Sequence, residues 1–220
     1  METNIIQPPK TEKNKEKLLE KIRNDFLGLN TKYRIANGEE TRRIYLDSTA
    51  STLMMGIAYR TSEKFLKHYS NTHSLMHFSA KIATKTYAWV HERMLEFVHA
   101  DPEHYTCFFT GSGTTSGMNR IARIFNHLQP KKDIVLVSIM EHHSNDLPHR
   151  KHGGHVIHIP VDTHESKMGC VDMDLLEHYL KEYEGRVNYV SITGISNVTG
   201  IINPINEVAK LAHHYGAYIV

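Results

Sequence analysis

At 220 residues, 40% hydrophobic and 23% charged, the chain is long enough to bury a core and has the composition of a soluble globular protein. Lys and Arg number 26 against 24 Asp and Glu, a formal net charge of +2, so no global field draws it to nucleic acid or to an anionic membrane, and neither is expected as a partner. Cys107 and Cys170 stand far apart in unlike contexts, which fits neither a disulfide framework nor a CxxC motif; with no apolar run of bilayer length and no secretory signal, a cytoplasmic location is expected.

Residues 1–15 are polar and carry Pro8-Pro9, which predicts a mobile leader. Residues 16–100 read as an N-terminal helical segment. Leu18, Leu19, Ile22, Phe26 and Leu29 recur at helical spacing, with Gly28 near the end as a stop signal. Ile44-Tyr45-Leu46-Asp47 is β-prone and runs into Ser48-Thr49-Ala50-Ser51-Thr52, a strand entering a loop. From Ile57 to Ala100 two helical patterns flank Ser70-Asn71-Thr72-His73-Ser74, and the second carries the stripe Ile82, Tyr87, Val90, Met94, Leu95 and Val98.

From residue 101 the pattern changes. Strands are predicted at Cys107–Phe109, Ile134–Val137, His155–Ile159, Tyr189–Ile192 and Ala217–Val220, with helices at Ser116–Leu128, Met173–Tyr183 and Ile205–His214. Strands alternating with helices make the fold class α/β, a mostly parallel sheet with flanking helices.

Three loops carry candidate chemistry. Thr110-Gly111-Ser112-Gly113-Thr114-Thr115-Ser116-Gly117 precedes an amphipathic helix, and a Gly/Ser/Thr loop at a helix N-terminus offers free backbone N–H groups, hydroxyls and the positive end of the helix dipole to a phosphate. An ordinary Thr-capped turn has the same letters. No Lys follows the glycines as a nucleoside-triphosphate loop requires, and the third glycine falls one place too late for a dinucleotide fingerprint. Second, the strand Ile134–Val137 leads to Glu141-His142-His143-Ser144-Asn145, two imidazoles able to stack on a flat ligand or carry a proton, or to be structural. Third, Gly194-Ile195-Ser196-Asn197-Val198-Thr199-Gly200 follows another strand, where Asn197 can donate or accept a hydrogen bond or simply make a turn. Parallel strands collect such loops at their carboxyl edge, which is what connects the three.

Of 17 histidines, His149, His152, His155 and His158 recur every third residue. Gly153-Gly154 breaks any helix between them and a strand would turn His155 and His158 to opposite sides, so no metal site is expected.

Taken in order, these segments resemble the class-V aminotransferase family, which includes the cysteine desulfurases. Tyr45 to Thr52 resembles the "YLDNAATT" segment, Asn71-Thr72-His73-Ser74 the "N-x-H" loop, and Phe109 to Asn119 the phosphate loop. Met140 to Pro148 is similar to "MEHHSNIVPW", and Ser196 to Gly200, Asn203-Pro204 and Ala212 to Ala217 to "SNVLG…NP…AHxxGA". The resemblance implies a fold-type-I large domain, partial over residues 101–220, whose Gly113, Thr114 and Thr115 hold the phosphate of pyridoxal 5'-phosphate. It also implies that His142 stacks on the cofactor ring and acts in proton transfer, and that Asn197 hydrogen-bonds the phenolic oxygen. Ser116 stands where many members have Glu, and Asp146 and His149 replace apolar and aromatic residues. The family's pyridinium Asp, cofactor lysine and desulfurase Cys follow segments that lie beyond Val220, so the chain is expected to be a fragment or inactive alone. The reading is a pyridoxal-phosphate enzyme acting on a small amino acid, cysteine-desulfurase-like or an aminotransferase, and a homodimer when full length. The alternative is a non-catalytic binding protein that keeps the half-fold.

Overall fold

The computed structural model describes residues 13–164 and 167–220, in two compact units, Met1–Phe108 and Phe109–Val220. Most of the expected leader lies outside the described residues.

In the first unit, Asn14 caps α1 (Lys15–Asp25) by accepting the backbone N–H groups of Glu16 and Lys17 at 3.0 and 3.2 Å. A short antiparallel pair follows, β1 (Lys32–Arg34) with β2 (Glu40–Arg42), then α2 (Gly56–Leu66) and α3 (Phe78–Phe97). Asp25 ties α1 to α2: its carboxylate takes the Ile57 N–H at 2.7 Å and the Arg60 guanidinium at 2.6 Å, and Arg60 foremost holds its carboxyl below the usual range. The strand expected over Ile44–Asp47 does not form. Ile44 and Leu46 are 81% and 89% exposed and no neighbouring edge pairs with them, so β-propensity has no ladder to act through. Of the expected stripe on α3, Ile82 is buried, beside Ala80 and Ala83, whereas Tyr87, Met94 and Val98 are exposed.

In the second unit, α4 (Gly113–Leu128), β3 (Ile134–Ser138), α5 (Leu147–His152), β4 (His155–Ile159), α6 (Met173–Glu182), β5 (Val187–Ser191), α7 (Ile205–His214) and β6 (Tyr218–Ile219) follow one another. The strands form a parallel sheet in the order β4-β3-β5-β6. Every residue of β3 and β5 is buried, which is why these segments read as continuous apolar runs. Side chains alternate across the sheet. Ile134 and Leu136 point into a core with Leu176 and Leu180 of α6 and Val208 and Ala212 of α7, while Val135 and Val137 face Tyr189 and Phe125 of α4 on the other side.

Two differences bear on the site. Cys107–Phe109 forms no strand, and Phe108 and Phe109 are more than half exposed. After β3 the chain makes a 3-10 turn at His143–Asn145 and then α5, neither of which apolar periodicity announced. β3 connects outward to β4 whereas β5 connects the opposite way to β6, so the carboxyl ends of β3 and β5 flank the point where strand order reverses, the usual place for a ligand crevice.

Candidate active site

The glycine-rich loop reaches α4 through three successive left-handed residues, Gly111 (φ 65°), Ser112 (φ 48°) and Gly113 (φ 66°). Glycine takes this conformation without strain; Ser112 does not. A Cβ at Gly111 or Gly113 would meet nothing within 4 Å, so the loop faces open space. No side chain among the described residues caps α4, and Gly113, Thr114 and Thr115 are exposed, so the first N–H groups of the helix have no acceptor among the described residues. Ser116 donates its hydroxyl back to the Thr110 carbonyl at 3.4 Å, closing the loop.

α4 packs against α5 and against the 3-10 turn. Together they bound a cleft of about 290 Å³ lined by Thr115, Asn119, His142, His143, Ser144 and Lys151 among others. Thr115 and His142 thus share one space. Gly113 and Thr114 sit at the adjoining helix end, and Asn197, exposed on the loop after β5, does not line the cleft. His143 lines it too, and the two rings lie 6.3 Å apart. His142 Nδ1 accepts the Ser144 backbone N–H at 3.0 Å, which leaves Nε2 as the nitrogen that carries the proton in the neutral ring.

Beneath this turn lies a polar network that the residue pattern did not reveal. The Glu141 carboxylate accepts the Thr193 N–H at 2.6 Å, the Asn145 amide at 2.7 Å and the Ser138 hydroxyl, joining the ends of β3 and β5. Asn145 Oδ1 accepts from Ser191 at 2.9 Å and from His149 Nε2 at 3.1 Å, and His149 Nδ1 accepts from the Tyr189 hydroxyl at 2.8 Å. His149, Tyr189 and Ser191 are fully buried. Every donor in this series has an acceptor, so it runs in one direction from Tyr189 to Glu141. Asn203, also buried, donates to the Thr193 carbonyl at 2.8 Å and accepts the Val171 N–H at 2.9 Å, supporting the same loop from below. The one signal available beforehand was polarity out of place: Ser191 ends an apolar strand, and Glu141 and Asn145 are four residues apart.

The spaced histidines scatter. His149 enters this network, His155 is exposed, and His158 donates to Asp146 at 2.9 Å, beside the Arg150–Asp146 ion pair at 2.7 Å. Burial alone would raise the Asp146 carboxyl, but hydrogen bonds from Arg150 and His158 outweigh it and hold the group below its usual value.

Burial also pushes the Tyr189 hydroxyl up and the His149 imidazole down, to about 4 from an ordinary 6.5. The unfolded chain therefore binds a proton at His149 between those values while the native chain does not. Stability is expected to fall as pH drops from 6.5 to 4, by at most about 3 kcal/mol, and then to level off for this group. Comparing urea unfolding of wild type and His149→Gln across that window checks it; parallel curves would show that His149 is not the group responsible.

The family profile described as aminotransferase class-V matches residues 44–220. The chain belongs to the class-V aminotransferase family. A probable cysteine desulfurase of Halalkalibacterium halodurans is 28% identical over 183 residues, 80% of this chain and 43% of its own length. A cysteine desulfurase of an Enterobacter species is 30% identical over 208 residues, 92% of this chain and 48% of its own. The apo structure of a cysteine desulfurase from Thermococcus onnurineus superimposes with a TM-score of 0.73 at 25% identity, covering 91% of this chain and 46% of that one. The chain thus spans less than half the length of these class-V relatives. The family is pyridoxal-phosphate-dependent, and the fold seen here is the parallel-sheet half of its fold-type-I architecture.

Proposed function

We propose that the cleft between α4 and the 3-10 turn binds pyridoxal 5'-phosphate, and that the protein acts with it on a small amino acid, desulfuration of cysteine being favoured over amino-group transfer. The observation that carries this reading is the single cleft holding both Thr115, at the uncapped end of α4, and the ring of His142. The uncapped N–H groups and hydroxyls of Gly113, Thr114 and Thr115 suit a phosphate dianion, and the exposed imidazole of His142 suits a flat heteroaromatic ring. Bound there, the cofactor supplies an electron sink for the substrate's α-carbon. His142 would hold or release a proton at Nε2, its Nδ1 being engaged by Ser144. Asn197 would reach the phenolic oxygen from the loop after β5. The names of the curated relatives favour cysteine as substrate. Homodimeric assembly and a cytoplasmic location belong to the same proposal, the latter supported by two cysteines that are both free.

Equilibrium dialysis with pyridoxal phosphate tests it on this chain. His142→Ala removes an aromatic face worth about 1 kcal/mol and is expected to weaken binding roughly fivefold, whereas His143→Ala, whose ring makes no hydrogen bond among the described residues, changes it less than twofold. Pyridoxal without its phosphate should bind at least about tenfold more weakly than the phosphate ester. Equal losses in the two variants, or no preference for the ester, would dismiss the assignment. Sulfide release from cysteine by the whole protein separates desulfuration from amino-group transfer.

A further inference from the structure

On the face of the second unit formed by the C-terminal half of α4 and the end of α5 lies an open groove of about 670 Å³. Arg123, Asn126 and His127 line it from α4, and Lys151 and His152 from α5. Arg123 and His127 are one helical turn apart and so share a face. No carboxylate lines the groove. An adjoining cleft shares Arg123 and adds Ser116, Asn119 and Arg120, again without an acid, and Lys151 also borders the candidate active site.

Several basic residues elsewhere in the unit are neutralised. Arg150, Lys181 and Arg186 are each matched to a carboxylate at 2.7 Å, to Asp146, Glu177 and Asp133. Arg123 and Lys151 have no ion-pair partner among the described residues and both are exposed. His152 Nε2 is shut off from water and has no hydrogen-bond partner, and Arg123 and Lys151 add to burial in holding that imidazole below its usual value. In a chain of net charge +2, the groove is a local concentration of positive charge with no carboxylate among the described residues that line it.

We propose that this groove docks an acidic segment of a partner protein, with carboxylates set against Arg123 and Lys151. Its bases stand on two helices around a space far larger than one phosphate, which suits several carboxylates along a chain and not a single small anion. No Phe, Tyr or Trp lines it, so it lacks the stacking platform that single-stranded nucleic acid uses. Exposed charges of this kind set association rate and salt dependence. The proposal does not depend on cofactor binding in the neighbouring cleft.

The test is fluorescence anisotropy with a labelled octaglutamate peptide at low salt, about 50 mM. Wild type should bind, more weakly as salt rises, and Arg123→Glu/Lys151→Glu should weaken binding at least about tenfold. Lys167→Glu/Lys210→Glu changes net charge equally at exposed lysines outside the groove and should weaken it less than about threefold. Arg123→Gln/Lys151→Gln gives an intermediate loss and serves if the reversed variant melts early. Absence of wild-type binding or an equal loss in the control pair would overturn the proposal. So would tighter binding of an octathymidylate, or a dimer of this chain that the groove variant abolishes, which would give the surface to nucleic acid or to a second copy.

Discussion

Replacing His149 with alanine is expected to destabilise the protein by about 3–5 kcal/mol, read as a lower urea midpoint at unchanged slope. The side chain is wholly buried and joins the Tyr189 hydroxyl, Asn145 Oδ1 and the Ser191 hydroxyl, which lies 3.0 Å from Nε2. Truncation leaves a cavity and removes the acceptor for a buried phenol; each orphaned polar group costs roughly 1–3 kcal/mol in addition to the lost packing. His149→Phe separates the two terms. It refills most of the volume but satisfies none of the polar groups, so it should recover less than half of the loss. An alanine variant within about 1 kcal/mol of wild type would mean that water replaces the imidazole at little cost, and the network would then be incidental to stability.

Glu141→Ala is expected to cost about 3–4 kcal/mol and to weaken pyridoxal phosphate binding as well. Three donors converge on this carboxylate, and one is the backbone N–H of Thr193 on a loop that starts from a different strand. Without it the segments that follow β3 and β5 lose the carboxylate that joins them beyond the sheet ladder, and the turn carrying His142 loses the Asn145 brace that closes it. Glu141→Gln should be milder, about 2 kcal/mol, since one oxygen still accepts while its amide faces that of Asn145. Because Glu141 and His149 share Asn145, their double variant should fall short of additivity by at least about 0.5 kcal/mol. Thermal unfolding with the cofactor dialysis measures both effects; full additivity would show two independent contacts and no network.

Much of the scaffold is legible in the residue pattern. The apolar runs Ile134–Ser138 and His155–Ile159 and the periodic helices Met173–Glu182 and Ile205–His214 stand where their residue pattern puts them, because burial on a parallel sheet imposes that pattern on each segment separately. Ile44–Asp47 and Cys107–Phe109 carry the same β-prone residues without becoming strands, since a strand forms only where its backbone pairs with a neighbour, and neither segment does. The α5 helix escaped notice because Pro148, four basic or imidazole side chains and the following glycines mask it, and its stability comes from packing on α4.

The sequence by itself determined the class of the fold and the loops that carry candidate chemistry. The letters around His142, Gly113 to Thr115 and Asn197 are local, and the resemblance to class-V aminotransferases rests on their order along the chain. Only the tertiary structure decided what meets what. The strand order β4-β3-β5-β6 brings Glu141 to Thr193 and His149 to Tyr189 across separations of 52 and 40 residues, and it places His143 beside His142 and Asn197 outside their cleft. Spacing along a chain records which face a residue takes on its own element; the register between elements is set by the packing of the whole sheet, so convergence at its carboxyl edge appears only when the strands are in place.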